Sequence, residues 1–207
     1  MGAIFTSPGR TVSAGFVLLI VIVVVIGAAT GQMTRIDHAW GTFVMRWLHV
    51  MSGVLWIGLL WYLNFVQVPT MPSIPAENRV AITRYIAPNV LFFFRYAALA
   101  TVVTGLLLAF MQRYLMQALM FQKGFIMIGT GMWMALIMAF NVWFIIWPNQ
   151  QKILGLVEAT AEEKAAAAPR ALYASRFNTM FSIGMLDRKS TRLNSSHSDR
   201  SRMPSSA

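Results

Sequence analysis

Four long, predominantly apolar runs, at 12–29, 43–68, 90–111 and 125–147, constrain this chain more than any other feature. Each reaches the roughly 20 residues a helix needs to cross about 30 Å of hydrocarbon. Inside a bilayer no water satisfies backbone N–H and C=O groups, so runs of this length must be helical. Composition agrees: 57% of the 207 residues are hydrophobic, 12% are charged and mean hydropathy is +0.59. The expected fold class is all-α, an integral membrane helical bundle with four spans plus the start of a fifth at 172–186. A signal peptide is the other reading of the first run, but its apolar core exceeds an ordinary h-region, so it is taken as an uncleaved span.

The connections are read from their breakers. Pro69 and Pro72 close the second span, and four prolines punctuate 69–89. Between them, 76–87 reads as a short amphipathic helix at the interface, with Val80, Tyr85 and Ile86 set against Glu77, Arg79 and Arg84. Pro148 ends the fourth span, and 151–168 reads as a surface helix stopping at Pro169. After Leu186 the composition changes abruptly to a basic, Ser-rich tail. Its segment RKSTRLNSSHS resembles translated sequencing-adapter sequence; a genuine disordered basic tail is the alternative. The expected organisation is therefore a membrane domain over 1–186 and a non-native-looking tail over 187–207, the native chain being cut short.

The net charge of +10 does not call for nucleic acid, because the cations sit between the spans. Placing the N-terminus in the cytoplasm puts more of them on that side, and His49 then lies near the outer face. Asn64, Arg95 and Asn141 approach the inner face, each from a different helix. The chain contains no cysteine, which excludes disulfides, thiolate metal sites and covalent c-type haem attachment.

The candidate site is built on the second span. An ionisable side chain in a spanning helix must face protein, water or a cofactor. At 100° per residue His49, Gly53 and Trp56 share one stripe, and Gly53 leaves room beside the imidazole for a neighbouring helix or a flat macrocycle. Three roles for His49 stay open: a buried histidine bonded to a helix carbonyl, an axial ligand of haem b iron, or a proton relay or substrate contact. If it ligates, its other ring nitrogen needs an orienting partner, for which Thr101, Thr104 and Thr130 are candidates. Asn64, Arg95 and Asn141 are the catalytic candidates, expected to meet at one depth inside the bundle. For Arg95 the competing reading is a structural or lipid-phosphate contact; a buried guanidinium also suits an anionic purine. The row Thr130, Met134, Met138 and Asn141 reads as core packing rather than a methionine ligand set.

The combination WLHVMSGVLWIG, FVQVPTMP, FFFRYAALATVVTG, MAFNVWFIIWPNQQKILG and SRFNTMFSI resembles the membrane (N-terminal) domain of the urate hydroxylase, or membrane urate oxidase, family over about residues 40–186. The shorter His-x-x-x-Gly-x-x-Trp pattern is similar to haem- or metal-linked helices of other small membrane proteins. The resemblance implies a bacterial inner-membrane protein that oxidises urate to 5-hydroxyisourate and passes electrons to a cytochrome c domain. This chain carries no such domain and no C-x-x-C-H. The alternative is a non-enzymatic membrane module, either a purine permease subunit or a cytochrome anchor.

Overall fold

The computed structural model describes residues 2–31 and 35–200, the side chains of Ala3 and 186–200 excepted. Among these residues the regular elements are all helical. Four helices are long and apolar enough to cross a membrane: α1 (Pro8–Thr30), α2 (His38–Ser73), α3 (Ala76–Met111) and α5 (Ile126–Ile153). A short α4 (Leu115–Leu119) joins α3 to α5, and α6 spans Ala161–Arg200. The chain divides into two compact units, 1–44 and 45–207.

In the first unit, α1 begins with Pro8 at its first turn, where a missing N–H costs nothing. It ends at Gly31, whose φ of 68° suits a residue without Cβ. Its apolar side chains are exposed almost throughout, as they would be in lipid.

The start of α2 lies five residues earlier than expected, at His38. The reason is local: the Asp37 carboxylate accepts the Trp40 N–H at 2.9 Å and caps the helix. In the second unit the prolines do not break the spans as the sequence suggests. Wide-turned π segments occupy Tyr62–Gln67, Ile82–Ile86 and Asn141–Ile146, and each stops two residues before a proline: Pro69, Pro88 or Pro148. In a regular α-helix the proline ring would strike the carbonyl four residues back and leave it unbonded. Here the residue before each proline donates five residues back instead, Val68 to Leu63, Ala87 to Ile82 and Trp147 to Val142. The widened turn absorbs the ring. As a result the expected interfacial helix at 76–87 is the first part of α3 rather than a separate element. Arg79 ties it to the end of α2, donating to the carbonyls of Ile74 at 2.7 Å and Pro72 at 3.0 Å.

The expected surface helix at 151–168 is likewise redrawn. α5 ends at Ile153 and α6 starts at Ala161, inside a capping box: the Glu163 N–H donates to Thr160 Oγ1 and the Thr160 N–H to Glu163 Oε2. Pro169 lies within α6 and does not stop it. The expectation of an unpacked tail at 187–207 concerns side chains that lie outside the described residues.

α2, α3 and α5 share a core of Trp56, Leu60, Phe94, Ala98, Met138 and Val142, which Met185 of α6 joins. Where α6 meets the bundle, its buried face carries the polar Asn178, Thr179 and Ser182 between the apolar Ala167, Ala171 and Met185, with Ser175 half-buried beside them. Its opposite side exposes Tyr173, Met180 and Ile183 by 69, 60 and 61%.

Candidate functional site

His49 reaches across from α2 to α3. Its Nδ1 lies 2.9 Å from the Thr101 carbonyl and 3.3 Å from Thr104 Oγ1. A carbonyl only accepts, so Nδ1 carries the proton and donates it. The orienting partner therefore comes from two of the three threonines named from the sequence. Thr130 is turned to its own helix, bonding the Ile126 carbonyl.

The room for the imidazole comes from a glycine that the sequence reading missed. A Cβ placed on Gly105 would lie 2.8 Å from His49 Cε1 and 3.1 Å from Nδ1, so the ring rests against the bare backbone of α3. A Cβ on Gly53 would lie 3.8 Å from Thr101 Cγ2, an ordinary contact. Gly53 thus belongs to the α2–α3 seam and does not open a ring-sized slot beside His49. The usable sequence signal was Gly105 itself, one helical turn beyond Thr101 on the same face. Trp56, on the same stripe, is fully buried in the core with its Nε1–H unpartnered.

The donor chemistry fits an axial haem ligand, a neutral imidazole held through Nδ1–H with Nε2 as the ligating nitrogen. The space at Gly53 does not supply the face for a macrocycle. Among the described residues no three His, Cys, Asp or Glu side chains gather to hold a metal ion. Haem iron does not require such a group, since one imidazole suffices on its protein side.

A polar layer lies at the proline end of the bundle. Asn64 Nδ2 donates to Ser175 Oγ at 2.7 Å and to the Leu60 carbonyl at 2.9 Å. Asn141 Nδ2 donates to Asn178 Oδ1 at 2.9 Å, and Asn178 Nδ2 donates to the Met138 carbonyl at 2.9 Å. Trp61 Nε1 donates to Ser182 Oγ at 3.0 Å. The Nδ2 groups of both candidate asparagines are therefore partnered through α6. The expected meeting of Asn64, Arg95 and Asn141 takes another form, because none of these bonds joins the three to one another. Two buried acceptors, Asn64 Oδ1 and Gln67 Oε1, have no partner. Both lie on the π turn of α2, as Asn141 opens that of α5. The row Met134, Met138 and Asn141 packs against α6, where a Cβ on Gly184 would lie 3.1 Å from Met134 Cε.

Arg95 is held differently. Its Nε donates to the Leu91 carbonyl at 3.1 Å. The guanidinium carbon stands 3.2 Å from the Trp147 ring centre, 5.6 Å from Trp143 and 5.9 Å from Tyr96.

A family model for the urate oxidase N-terminal domain matches residues 93–187. Over that segment the chain is similar to the urate oxidase N-terminal family. The match takes in Arg95, Asn141, Ser175, Asn178 and Ser182, whereas His49, Gly53 and Trp56 precede it. Neither the curated proteins nor the solved structures include a significant match. The family match thus falls on the part of the bundle containing the α5–α6 amide pair. The residues missed from the sequence, Ser175, Asn178 and Ser182, were detectable there as polar positions three or four apart in SRFNTMFS.

Proposed function

We propose that the chain forms the membrane part of a urate-oxidising system. In the overall step, urate and water give 5-hydroxyisourate, two electrons and two protons, and a cytochrome c takes the electrons. The observation supporting this reading is the urate oxidase N-terminal match over residues 93–187. The polar layer adds a chemical reason: Asn64 Oδ1 and Gln67 Oε1 are buried acceptors without partners, and urate presents ring N–H donors. The amide of Asn141, held by Asn178, lends that layer a fixed orientation. Arg95, turned against Trp147, is given no catalytic role.

His49 is read as a half-buried histidine bonded to the Thr101 carbonyl; the space beside its ring does not fit haem b, so no step is routed through that group. The protein's own contribution is to fix the ring and its proton: the Thr101 carbonyl keeps Nδ1 protonated, and Gly105 lets the imidazole lie close to α3.

The test is urate consumption by the purified full chain in vesicles with added cytochrome c. Loss of urate absorbance in step with cytochrome c reduction is the expected result, weakened by Asn64→Leu. Uptake of labelled urate without oxidation would replace this reading with a permease subunit. Neither oxidation nor uptake, with retention of a cytochrome, would make the chain an anchor. A visible absorption spectrum tests the reading of His49 separately: a Soret band in the parent that vanishes in His49→Ala would overturn it.

A further inference from the structure

Arg95 is a cation on a spanning helix that meets no carboxylate among the described residues. Among the described residues its hydrogen bond is the one from Nε to Leu91, and its other neighbours are aromatic rings. Trp147 covers one face of the guanidinium, leaving the edge that carries the two terminal amines without a protein acceptor. A planar fork held flat by stacking, with its donors unused, matches two oxygens of a phosphate or carboxylate. An unmatched guanidinium at this position would be costly.

A shallow groove of about 400 Å³ lies beside it, lined by Leu99, Val102, Leu136, Ala139, Phe140 and Trp143 among its walls. Leu99 and Val102 follow Arg95 by one and two turns along α3, while Phe140, Ala139 and Leu136 precede Trp143 along antiparallel α5. Both walls therefore run away from the proline end, towards the middle of the spans. Trp143 is shared, standing 5.6 Å from the Arg95 guanidinium and forming one end of the groove.

We propose that Arg95 and this groove form a binding site for one anionic phospholipid. Its phosphodiester takes the free edge of Arg95, and an acyl chain lies between α3 and α5. Charge complementarity selects the headgroup, because the site has a cation and no acid. The apolar walls select a lipid over a soluble anion, which would gain nothing from them. Trp147 and Tyr96, both beside the guanidinium, are residue types that aromatic belts place next to headgroups.

The experiment is native mass spectrometry of the full chain released from detergent after incubation with phosphatidylglycerol, phosphatidylcholine or inorganic phosphate. Retention of phosphatidylglycerol over phosphatidylcholine is expected. Arg95→Gln should lower that retention roughly fivefold, the scale of one cation at a lipid surface, and Ala139→Trp should lower it by filling the groove. Equal retention of the two lipids, or full retention by both variants, overturns the site. Competition by inorganic phosphate that is indifferent to Ala139→Trp assigns the site to a soluble anion and overturns the lipid. A lipid-free dimer whose contact is lost in Ala139→Trp assigns the groove to a second copy, with the same consequence. Should Arg95→Gln fail to fold, Ala139→Trp and the lipid preference of the parent still decide.

Discussion

At residue scale the two glycines facing the α2–α3 seam separate a cradle from a spacer. A methyl group on Gly105 would press into the His49 ring at 2.8 Å, whereas one on Gly53 would make an ordinary 3.8 Å contact with Thr101. Gly105→Ala is therefore expected to push the imidazole off the Thr101 carbonyl, destabilising the protein by about 1–3 kcal/mol. Gly53→Ala should be nearly neutral. Side-chain nitrogen NMR of His49, with detergent melting curves, checks both. Equal effects at the two positions would remove Gly105 from its role. A second prediction concerns Glu163, whose carboxyl is held below its ordinary value of 4.5 chiefly by the Thr160 backbone N–H, and then by Lys152. A depressed folded pKa contributes stability that is present above the unfolded value and lost as pH falls through the folded one. The first turn of α6 should thus fray on acidification below the ordinary carboxylate range, seen as faster amide exchange at Glu163 and Lys164. In Thr160→Val, which removes the hydroxyl that Glu163 N–H uses, that turn should already exchange faster at neutral pH.

At the scale of elements, α6 docks through hydrogen bonds as well as through the apolar contacts of Met185, Ala174 and Phe181. Lipid is as apolar as leucine, so burying leucine between helices gains little in a bilayer, while a paired amide orients the contact. Asn178→Ala leaves Asn141 Nδ2 and the Met138 carbonyl without their partner and should cost about 1–3 kcal/mol. The double change Asn141→Leu with Asn178→Leu removes the side-chain donor and acceptor together and should cost less than the sum of the single changes. A coupling of roughly 0.6–1.7 kcal/mol in a double-mutant cycle is expected. Strict additivity would show that the pair is incidental. The π turns belong to the same scale. Each accommodates a proline and together they add a wider turn near one end of α2, α3 and α5, where Asn64 and Asn141 lie.

For the whole molecule, the spanning arrangement predicts which positions share a side of the membrane. Lys123 precedes α5 and Lys152 lies in its last turn, so cysteines introduced there should label from opposite faces of sealed vesicles; labelling from one face would mean that α5 does not cross. The number of long helices and their all-α class could be read from the sequence because hydrocarbon thickness sets helix length whatever the neighbours are. His49 could be singled out, with Thr101, Thr104 and Thr130 as candidate partners, because burying an imidazole demands a hydrogen-bonding group nearby; that the first two and not Thr130 face it only the structure decided. What the chain alone left undecided depends on separation in space. Gly105 follows His49 by more than two spans' worth of turns, and only the α2–α3 crossing makes it the surface on which the ring rests. Proline reads locally as a breaker, yet a one-residue widening of the turn lets each helix continue through it. Asn64 and Asn141 matched in depth along their helices, but depth does not determine facing: α6 supplied Ser175 and Asn178 as partners, and Arg95 turned to Trp147. Periodicity and length are properties of one helix and are written in its residues. Which side chain fills the gap on another helix is decided by packing.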